Sequence, residues 1–540
     1  MRGETWKKRA VIAEPRGNLI RLFRLTSHLS LLTAAAPLAA QRHDALHYDI
    51  SLTLSATDTV LRAVVATRWR LTGGQPVVVD LDAALTVTGT TVDARPVRWR
   101  RRGSTVVVPV TGRAGREVTT TVSYAGVPKD GLIVRGSGAS RTIFADNWPD
   151  RARYWLASND HPGDKASVAW QITAPSEYGV VATGTLTAVD TLQAGILRRR
   201  FINPEPVPVY TMVIGMANFT VTPLSPLPCD TGCVPVSLWT APEDARFALD
   251  GPFRNAGAMI GVFAGLFGRF PYGELRHVQS TTRFGGMENA TAIFYDTRAI
   301  HEGRLDEATV AHETAHQWFG DAVTETEWHH LWLSEGFASY GAALWAEHRG
   351  GDSALAATMR SARDAVMASP VVERPILDST ITDRMKLLNA NNYQKGAWVL
   401  HSLRAIVGDE VFFRGVRRYV RTYQHRNALS RDFARIMGEE AGRDLAWYFR
   451  QALAQPGYPV LAVSTEVEGG HLMVAVRQVQ KKAWGLFRMP KLEIMLDDRT
   501  IVVDVQGALT RVATHWPGDA PRTVTVDPHN KWLLAVRGER

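Results

Sequence analysis

Two histidines and two glutamates lie close together in the stretches HETAHQWFG and WLSEG. His312 and His316 are four residues apart, and Glu335 follows nineteen residues after His316. Residues four apart on a helix share a face, so both imidazoles can converge on one cation. Two His ligands and one Glu leave a fourth position for water, which is typical of catalytic zinc. The sequence therefore predicts one Zn²⁺ per chain, held by His312, His316 and Glu335.

Glu313 directly follows a predicted ligand and has a different role. Its side chain lies about 100° further round the helix than that of His312, so it can reach the water rather than the metal. Zinc acidifies its water and polarises a carbonyl, while a carboxylate carries the proton to the leaving amine. The pattern thus predicts amide hydrolysis with Glu313 as general base. His329 and His330 are adjacent and cannot both face one point, so we interpret them as structural or surface residues.

Two helices must position these side chains. Apolar residues three and four apart predict a first helix: Leu305, Ala308, Ala311, Ala315 and Phe319. Asp306 and Glu307 would lie in its first turn, and it would end near Gly320. A second helix that carries Glu335 is predicted from Leu333, Phe337, Tyr340 and Leu344. The second helix can then close over the first.

The rest of the chain divides into β-rich and helical regions. Residues 41–240 alternate between apolar and polar, as in STVVVPVTG, and predict an antiparallel β domain. Residues 241–457 carry longer helical patterns and the motifs above. Residues 458–540 predict a small β domain, with a hairpin across Gly469 and Gly470. The predicted fold class is therefore multidomain α+β.

Composition and charge argue against a nucleic-acid partner. The chain of 540 residues is 45% hydrophobic and 21% charged, as in ordinary globular proteins. Residues 1–40 hold seven Lys/Arg and two Asp/Glu, so they supply five of the nine net positive charges. The remaining charge is too small to indicate a polyanionic partner. The mature chain also has no apolar run of the ~20 residues that a membrane span requires.

The first 40 residues resemble an export signal. A basic stretch ends at Arg24, and a short apolar run follows it and closes on Ala39 and Ala40. This three-part pattern predicts a signal peptide over residues 1–40 and a periplasmic or extracellular location. An ordinary disordered N-terminus is the alternative.

The two cysteines, Cys229 and Cys233, lie in the turn-rich stretch PLPCDTGCVP. We expect them to form a disulfide in an oxidising compartment. Half of a metal site is the alternative, but no Cys or His stands near enough in sequence to complete a four-ligand site.

The motifs together resemble those of the aminopeptidase N family of gluzincin zinc peptidases, which includes leukotriene hydrolase. HETAHQWFG and EGFASY carry the likeness, with GGMEN before them at Gly285 to Asn289. Residues 152–175, the stretch FGRFPYGELRHV and YQKGAWVL at Tyr393 extend it over most of residues 45–460. The resemblance implies a thermolysin-like, mostly α catalytic domain. Gly286 and Ser334 depart from it, since the family commonly has Ala and Asn there.

The resemblance also implies roles for further residues. Glu288 would hold the free α-amino group of a peptide, and Tyr393 would donate a hydrogen bond to the oxyanion. Without the motifs, we would interpret Glu288 as an exposed loop carboxylate and Tyr393 as a core residue. The substrate segment implied is Gly285, Gly286, Met287, Glu288 and Asn289, whose glycines admit a peptide backbone. A second amine anchor among Asp146, Asn147 and Trp148 stays unassigned.

The predicted function is a zinc aminopeptidase that acts on peptides with a free N-terminus. Two alternatives remain. The same site could open an epoxide in a non-peptide substrate, or the fold could serve a non-catalytic peptide-binding protein. The sequence contains no signal for the oligomeric state.

Overall fold

The computed structural model describes residues 42–224 and 234–537 of the chain. The predicted signal peptide and the predicted pair Cys229 and Cys233 lie outside these residues. Within them, strands come first, helices follow, and strands return at the C-terminal end. The predicted fold class, an N-terminal β region, a mostly α catalytic region and a small C-terminal β region, is confirmed.

The N-terminal region is built on an eight-stranded, largely antiparallel sheet. Burial alternates residue by residue along strands such as Leu61–Arg70 and Lys165–Pro175, because one face of the sheet packs on the core. In spatial order the strands are Thr185–Gln193, Ile196–Pro208, Lys165–Pro175, Asp44–Thr53, Leu61–Arg70, Glu117–Gly126, Leu85–Val92 and Arg95–Pro96. Asp44–Thr53 and Lys165–Pro175 are its parallel pair.

Two smaller sheets accompany it. The four-stranded sheet contains Gly179–Ala182, Ile214–Ala217, Thr142–Ala145 and Leu132–Arg135, in that order. The three-stranded sheet contains Val77–Asp80, Thr105–Val108 and Arg100–Arg102.

A five-stranded mixed sheet leads into the helical region. Its order is Thr220–Leu224, Val236–Thr240, Leu275–Ser280, Ala292–Asp296 and Gly286–Met287. It therefore joins strands from both sides of residue 240. Gly286–Met287 is an edge strand that pairs antiparallel with Ala292–Asp296. Its other side has no strand partner within residues 42–224 and 234–537.

Nine α-helices follow among the described residues: α1 (Ala245–Asp250), α2 (Ala256–Phe267), α3 (Thr297–His301), α4 (Glu307–His316), α5 (Trp332–Ala368), α6 (Gly396–Val407), α7 (Asp409–Tyr423), α8 (Ser430–Ala441) and α9 (Ala446–Ala454). Helix α5 is interrupted at Gly350 and Gly351. Two short strands, Val323–Glu325 and Arg426–Ala428, pair in parallel beside them.

The helix predicted around His312 begins as expected and ends earlier. The Asp306 carboxylate caps α4 by accepting from the backbone N–H of Thr309 at 2.8 Å. The helix ends at His316 rather than near Gly320, because Trp318 and Phe319 both donate to the carbonyl of Ala315 in a tightened turn. Apolar spacing continues through this turn, so the pattern alone overestimated the helix.

The C-terminal region contains two small sheets. One consists of Leu509–His515, His471–Gln478, Val460–Glu468 and Ala535–Val536, and the other of Arg499–Val505, Met489–Leu496 and Val524–Val526. Gly469 and Gly470 have φ values of 56° and 76° and join two antiparallel strands. The predicted hairpin is thereby confirmed.

No helix within residues 42–224 and 234–537 is both long enough and apolar enough to cross a bilayer.

Candidate active site

The three predicted metal ligands meet in the structure. The Nε2 atoms of His312 and His316 lie 3.0 Å apart, and each lies 3.3 Å from Oε2 of Glu335. Donors about 2.0–2.2 Å from a tetrahedral zinc stand roughly 3.3–3.5 Å from one another. Glu335 Oε2 is also buried and accepts no hydrogen bond from the described residues. The three side chains therefore fit a zinc ion.

A second layer of contacts orients His316. Its Nδ1 lies 2.9 Å from the carbonyl oxygen of Phe319 and 3.1 Å from Oγ of Ser334. An Nδ1–H that donates to Phe319 leaves the Nε2 lone pair free for a metal. Ser334 was noted in the sequence only as a departure from the family pattern, and nothing in the local sequence indicated this contact.

Close helix packing brings Tyr393 to the ligands. Gly336 on α5 faces Gly396 on α6, and a Cβ added to either would lie 2.9 Å from the other's Cα. Tyr393 lies in a π-helical turn, Asn391–Lys395, directly before α6. Its hydroxyl donates to Oε1 of Glu335 at 2.7 Å, and its ring stacks on His312 with centroids 5.8 Å apart. The predicted oxyanion donor thus stands beside the predicted zinc site.

Glu288 and Glu313 also lie close to His316. Ligand atoms of these three residues are all within 4.8 Å of one another. This trio could also hold a metal, but it has one imidazole, and the set with two fits zinc better. Glu288 and Glu313 are 5% and 6% exposed, and burial raises the pKa of both carboxyls. A buried carboxyl beside a metal site is a suitable partner for an ammonium group.

The edge strand holds Glu288 next to α4. Gln317, one residue after α4, donates from Nε2 to the carbonyl of Glu288 at 3.1 Å and accepts from the N–H of Thr291 at 3.0 Å. A Cβ at Gly286 would lie 2.3 Å from Oε1 of Glu313, so the glycine leaves room for that carboxylate. Met287 and Asn289 are buried on the same segment. Sequence reasoning missed the bridging role of Gln317.

The structure gives each candidate for the second amine anchor another role. Asp146 pairs with Arg151 at 2.7 Å and with Arg283 at 3.1 Å. Asn147 accepts from the Trp155 indole and donates to a backbone carbonyl. The Trp148 ring packs edge-on against Trp328 and Phe284. None of the three offers a free carboxylate to the site.

We expect Asp146→Asn to lower the free energy of unfolding by about 3–5 kcal/mol, because it removes the nearest counter-charge of the buried Arg151 guanidinium and leaves only Asp130, at 3.9 Å. Urea denaturation would measure this loss. Asp130 is more exposed and also contacts Arg283. We expect Asp130→Asn to lower the free energy of unfolding by less than Asp146→Asn does. A large rise in KM for free-amino substrates with unchanged stability would instead make Asp146 an amine anchor.

Tyr210 is a further residue that sequence reasoning missed. It is buried, and its hydroxyl donates to the carbonyl of Gly320 at 3.3 Å. Burial and the nearby charge of Glu288 raise the pKa of Tyr210. It comes from the N-terminal β region, far from the motifs in sequence.

His329 and His330 lie apart from the ligands. His330 Nδ1 is 2.7 Å from Oγ of Ser430, and His329 Nε2 is 3.4 Å from the carbonyl of Ile381. Neither belongs to a group of described residues that could hold a metal.

Comparison with known proteins points to one family. Residues 256–451 match the peptidase family M1 domain. The chain is 25% identical over 370 residues to a probable aminopeptidase 2 of Sulfurisphaera tokodaii, covering 64% of this chain and 45% of the relative. It is 35% identical over 214 residues to aminopeptidase N of Lactococcus lactis, covering 36% of this chain and 24% of the relative. The chain thus spans less than half the length of these relatives.

Solved structures match over more of their length. The M1 zinc metallopeptidase of Deinococcus radiodurans superposes with a TM-score of 0.69 at 26% identity, over 78% of this chain and 95% of that one. A variant of it bound to a Tyr-Ser-Ala substrate gives a TM-score of 0.67 at 25% identity, over 77% and 94% of the two chains. Together with the site geometry, these matches identify residues 256–451 as a peptidase family M1 domain and support the predicted resemblance of the chain to the aminopeptidase N family of gluzincin zinc peptidases.

Proposed function

We propose that this protein is a zinc-dependent aminopeptidase that removes the N-terminal residue of peptides. The observation that carries the proposal is the buried carboxyl of Glu288, within 4.8 Å of both His316 and Glu313. A free α-ammonium group satisfies such a carboxyl, whereas a peptide bond in mid-chain does not. The names of the relatives and the peptide bound to the Deinococcus variant support the same substrate class.

His312, His316 and Glu335 would hold one zinc ion, which supplies Lewis-acid polarisation of the scissile carbonyl and an acidified water. The Glu313 carboxylate would take the proton of the attacking water and pass it to the leaving amine. Burial favours this transfer because it raises the pKa of Glu313. The Tyr393 hydroxyl would turn from Glu335 to the carbonyl oxygen of the substrate and stabilise its developing negative charge.

The edge strand Gly286–Met287 would position the peptide. Its free side can pair with an extended backbone, as in other sheets that accept a peptide as an added strand. Glu288 follows directly and would fix the N-terminus. The distance from this carboxyl to the metal site then limits cleavage to the first peptide bond.

The amine role of Glu288 can be tested with Glu288→Gln. We expect kcat/KM for free-amino aminoacyl amides to fall by roughly 10- to 10²-fold, mostly through KM, because a hydrogen bond to a charged group contributes about 1.5–3 kcal/mol. Steady-state kinetics on the zinc-loaded enzyme would measure the loss. Glu327→Gln, at an exposed glutamate of the segment between the ligand helices, should leave kcat/KM unchanged. An equal loss on N-acetylated substrates would remove the amine role.

A further inference from the structure

A cavity outside the active site lies where the catalytic helices meet the C-terminal sheets. Its volume is about 60 Å³. Apolar and aromatic side chains form most of its wall, among them Trp398, Tyr458, Phe487, Met489 and Trp532. A water molecule needs about 10–15 Å³ of such space, so the cavity has room for an organic ligand of about four heavy atoms.

Lys395 also lines this cavity and lacks a counter-charge. The residue is 4% exposed, and among the described residues its ammonium group has one hydrogen bond, a long one of 3.4 Å from Nζ to the carbonyl oxygen of Gln455. Within residues 42–224 and 234–537, no carboxylate forms an ion pair with it. Burial alone lowers the pKa of Lys395 to about 7. A buried amine with so little compensation favours an anionic partner.

Trp398 supplies a second unused donor in the same wall. Its side chain is 1% exposed, and its indole N–H has no hydrogen-bond partner among the described residues. A buried N–H without a partner costs about 1–3 kcal/mol. Tyr448, which also lines the cavity, is different, because its hydroxyl already donates to the carbonyl of Val399 at 2.6 Å.

Lys165 differs from Lys395 because its ammonium group has close hydrogen-bond acceptors. Its ammonium group donates to the carbonyls of Asp321 and Ala322, both at 2.8 Å. Lys395 has no comparable pair of acceptors.

We propose that this cavity binds a small monocarboxylate. The carboxylate pairs with the ammonium group of Lys395, the indole N–H of Trp398 offers a second donor, and the alkyl end contacts the aromatic wall. A charged head and a short apolar tail match a site with these two donors in a mostly apolar lining, in which Ser402 and Gln451 are the other polar side chains besides the tyrosines. The site is separate from the zinc ligands, so it does not depend on the proposed aminopeptidase activity.

The test is thermal unfolding of the zinc-loaded full chain at constant ionic strength, with sodium chloride replaced stepwise by sodium acetate or propionate. We expect a saturable rise in Tm. Acetamide and propionamide, which have the same size without the charge, should not raise it. In Lys395→Met the apparent Kd for acetate should weaken at least about tenfold, which corresponds to the loss of one charge-assisted hydrogen bond.

Two further variants keep the test decisive. Trp398→Phe retains the ring and removes the N–H, so it should weaken acetate binding even if Lys395→Met fails to fold. Lys165→Met should keep the acetate response of the unsubstituted chain. The proposal is overturned if the amides act as the carboxylates do, if Tm does not saturate, or if Lys395→Met responds to acetate as the unsubstituted chain does.

Discussion

Glu313→Gln should lower kcat for aminoacyl amides by roughly 10²- to 10⁴-fold, because the amide cannot accept the proton of the attacking water. The side chain is almost fully buried and close to His316 and Glu288, so no bulk base can replace it easily. Gln has nearly the size of Glu, and the three ligands remain, so zinc should stay bound. Steady-state kinetics and metal analysis on the same sample would measure both effects.

A matched control lies on the same helix. Glu307 is the first residue of α4 and accepts a hydrogen bond from the Trp345 indole at 2.8 Å, away from the ligands. Glu307→Gln should keep kcat close to that of the unsubstituted enzyme. Retained activity in Glu313→Gln with a full complement of zinc would show that another group takes the proton.

Tyr393→Phe is expected to lower kcat by about 10²- to 10³-fold, the usual effect of losing one oxyanion donor. The hydroxyl donates to Glu335 in the structure and stands beside His312, so it is near the carbonyl that hydrolysis would polarise. The Phe ring can keep the stacking contact with His312. KM and zinc content should therefore change little.

Tyr423→Phe provides the comparison for this substitution. Tyr423 lies at the end of α7, and its hydroxyl accepts from Arg435 at 3.3 Å. Removal of the Tyr423 hydroxyl should leave kcat unchanged. If Tyr393→Phe loses zinc, or if its loss appears only in KM, then the hydroxyl supports the ligands or the substrate rather than the oxyanion.

The parts of the site that follow short-range spacing were accessible from sequence. The four-residue interval of His312 and His316 needs only helical geometry, and the apolar pattern around Leu333 located the helix that carries Glu335. The hairpin at Gly469 and Gly470 likewise follows from local turn chemistry. Each of these features depends on residues that are neighbours in the chain.

The supports of the site come from long-range packing, which no local pattern encodes. Gly336 meets Gly396 across two helices sixty residues apart, and Tyr210 reaches the site from the β region. Asp146 is one of three candidates for the second amine anchor, with Asn147 and Trp148, because of its position in the segment. Its two arginine partners, one of them in the loop before Gly285, became visible only with the tertiary structure.

We propose that a free α-amino group directs cleavage at the site formed by His312, His316 and Glu335. The most direct measurement compares hydrolysis of free-amino aminoacyl amides with that of their N-acetylated forms, with zinc content determined on the same sample. We predict that only the free-amino series is cleaved and that a chelator abolishes the cleavage. Equal cleavage of both series, or no cleavage with zinc in place, would show that a free α-amino group does not direct hydrolysis at this site.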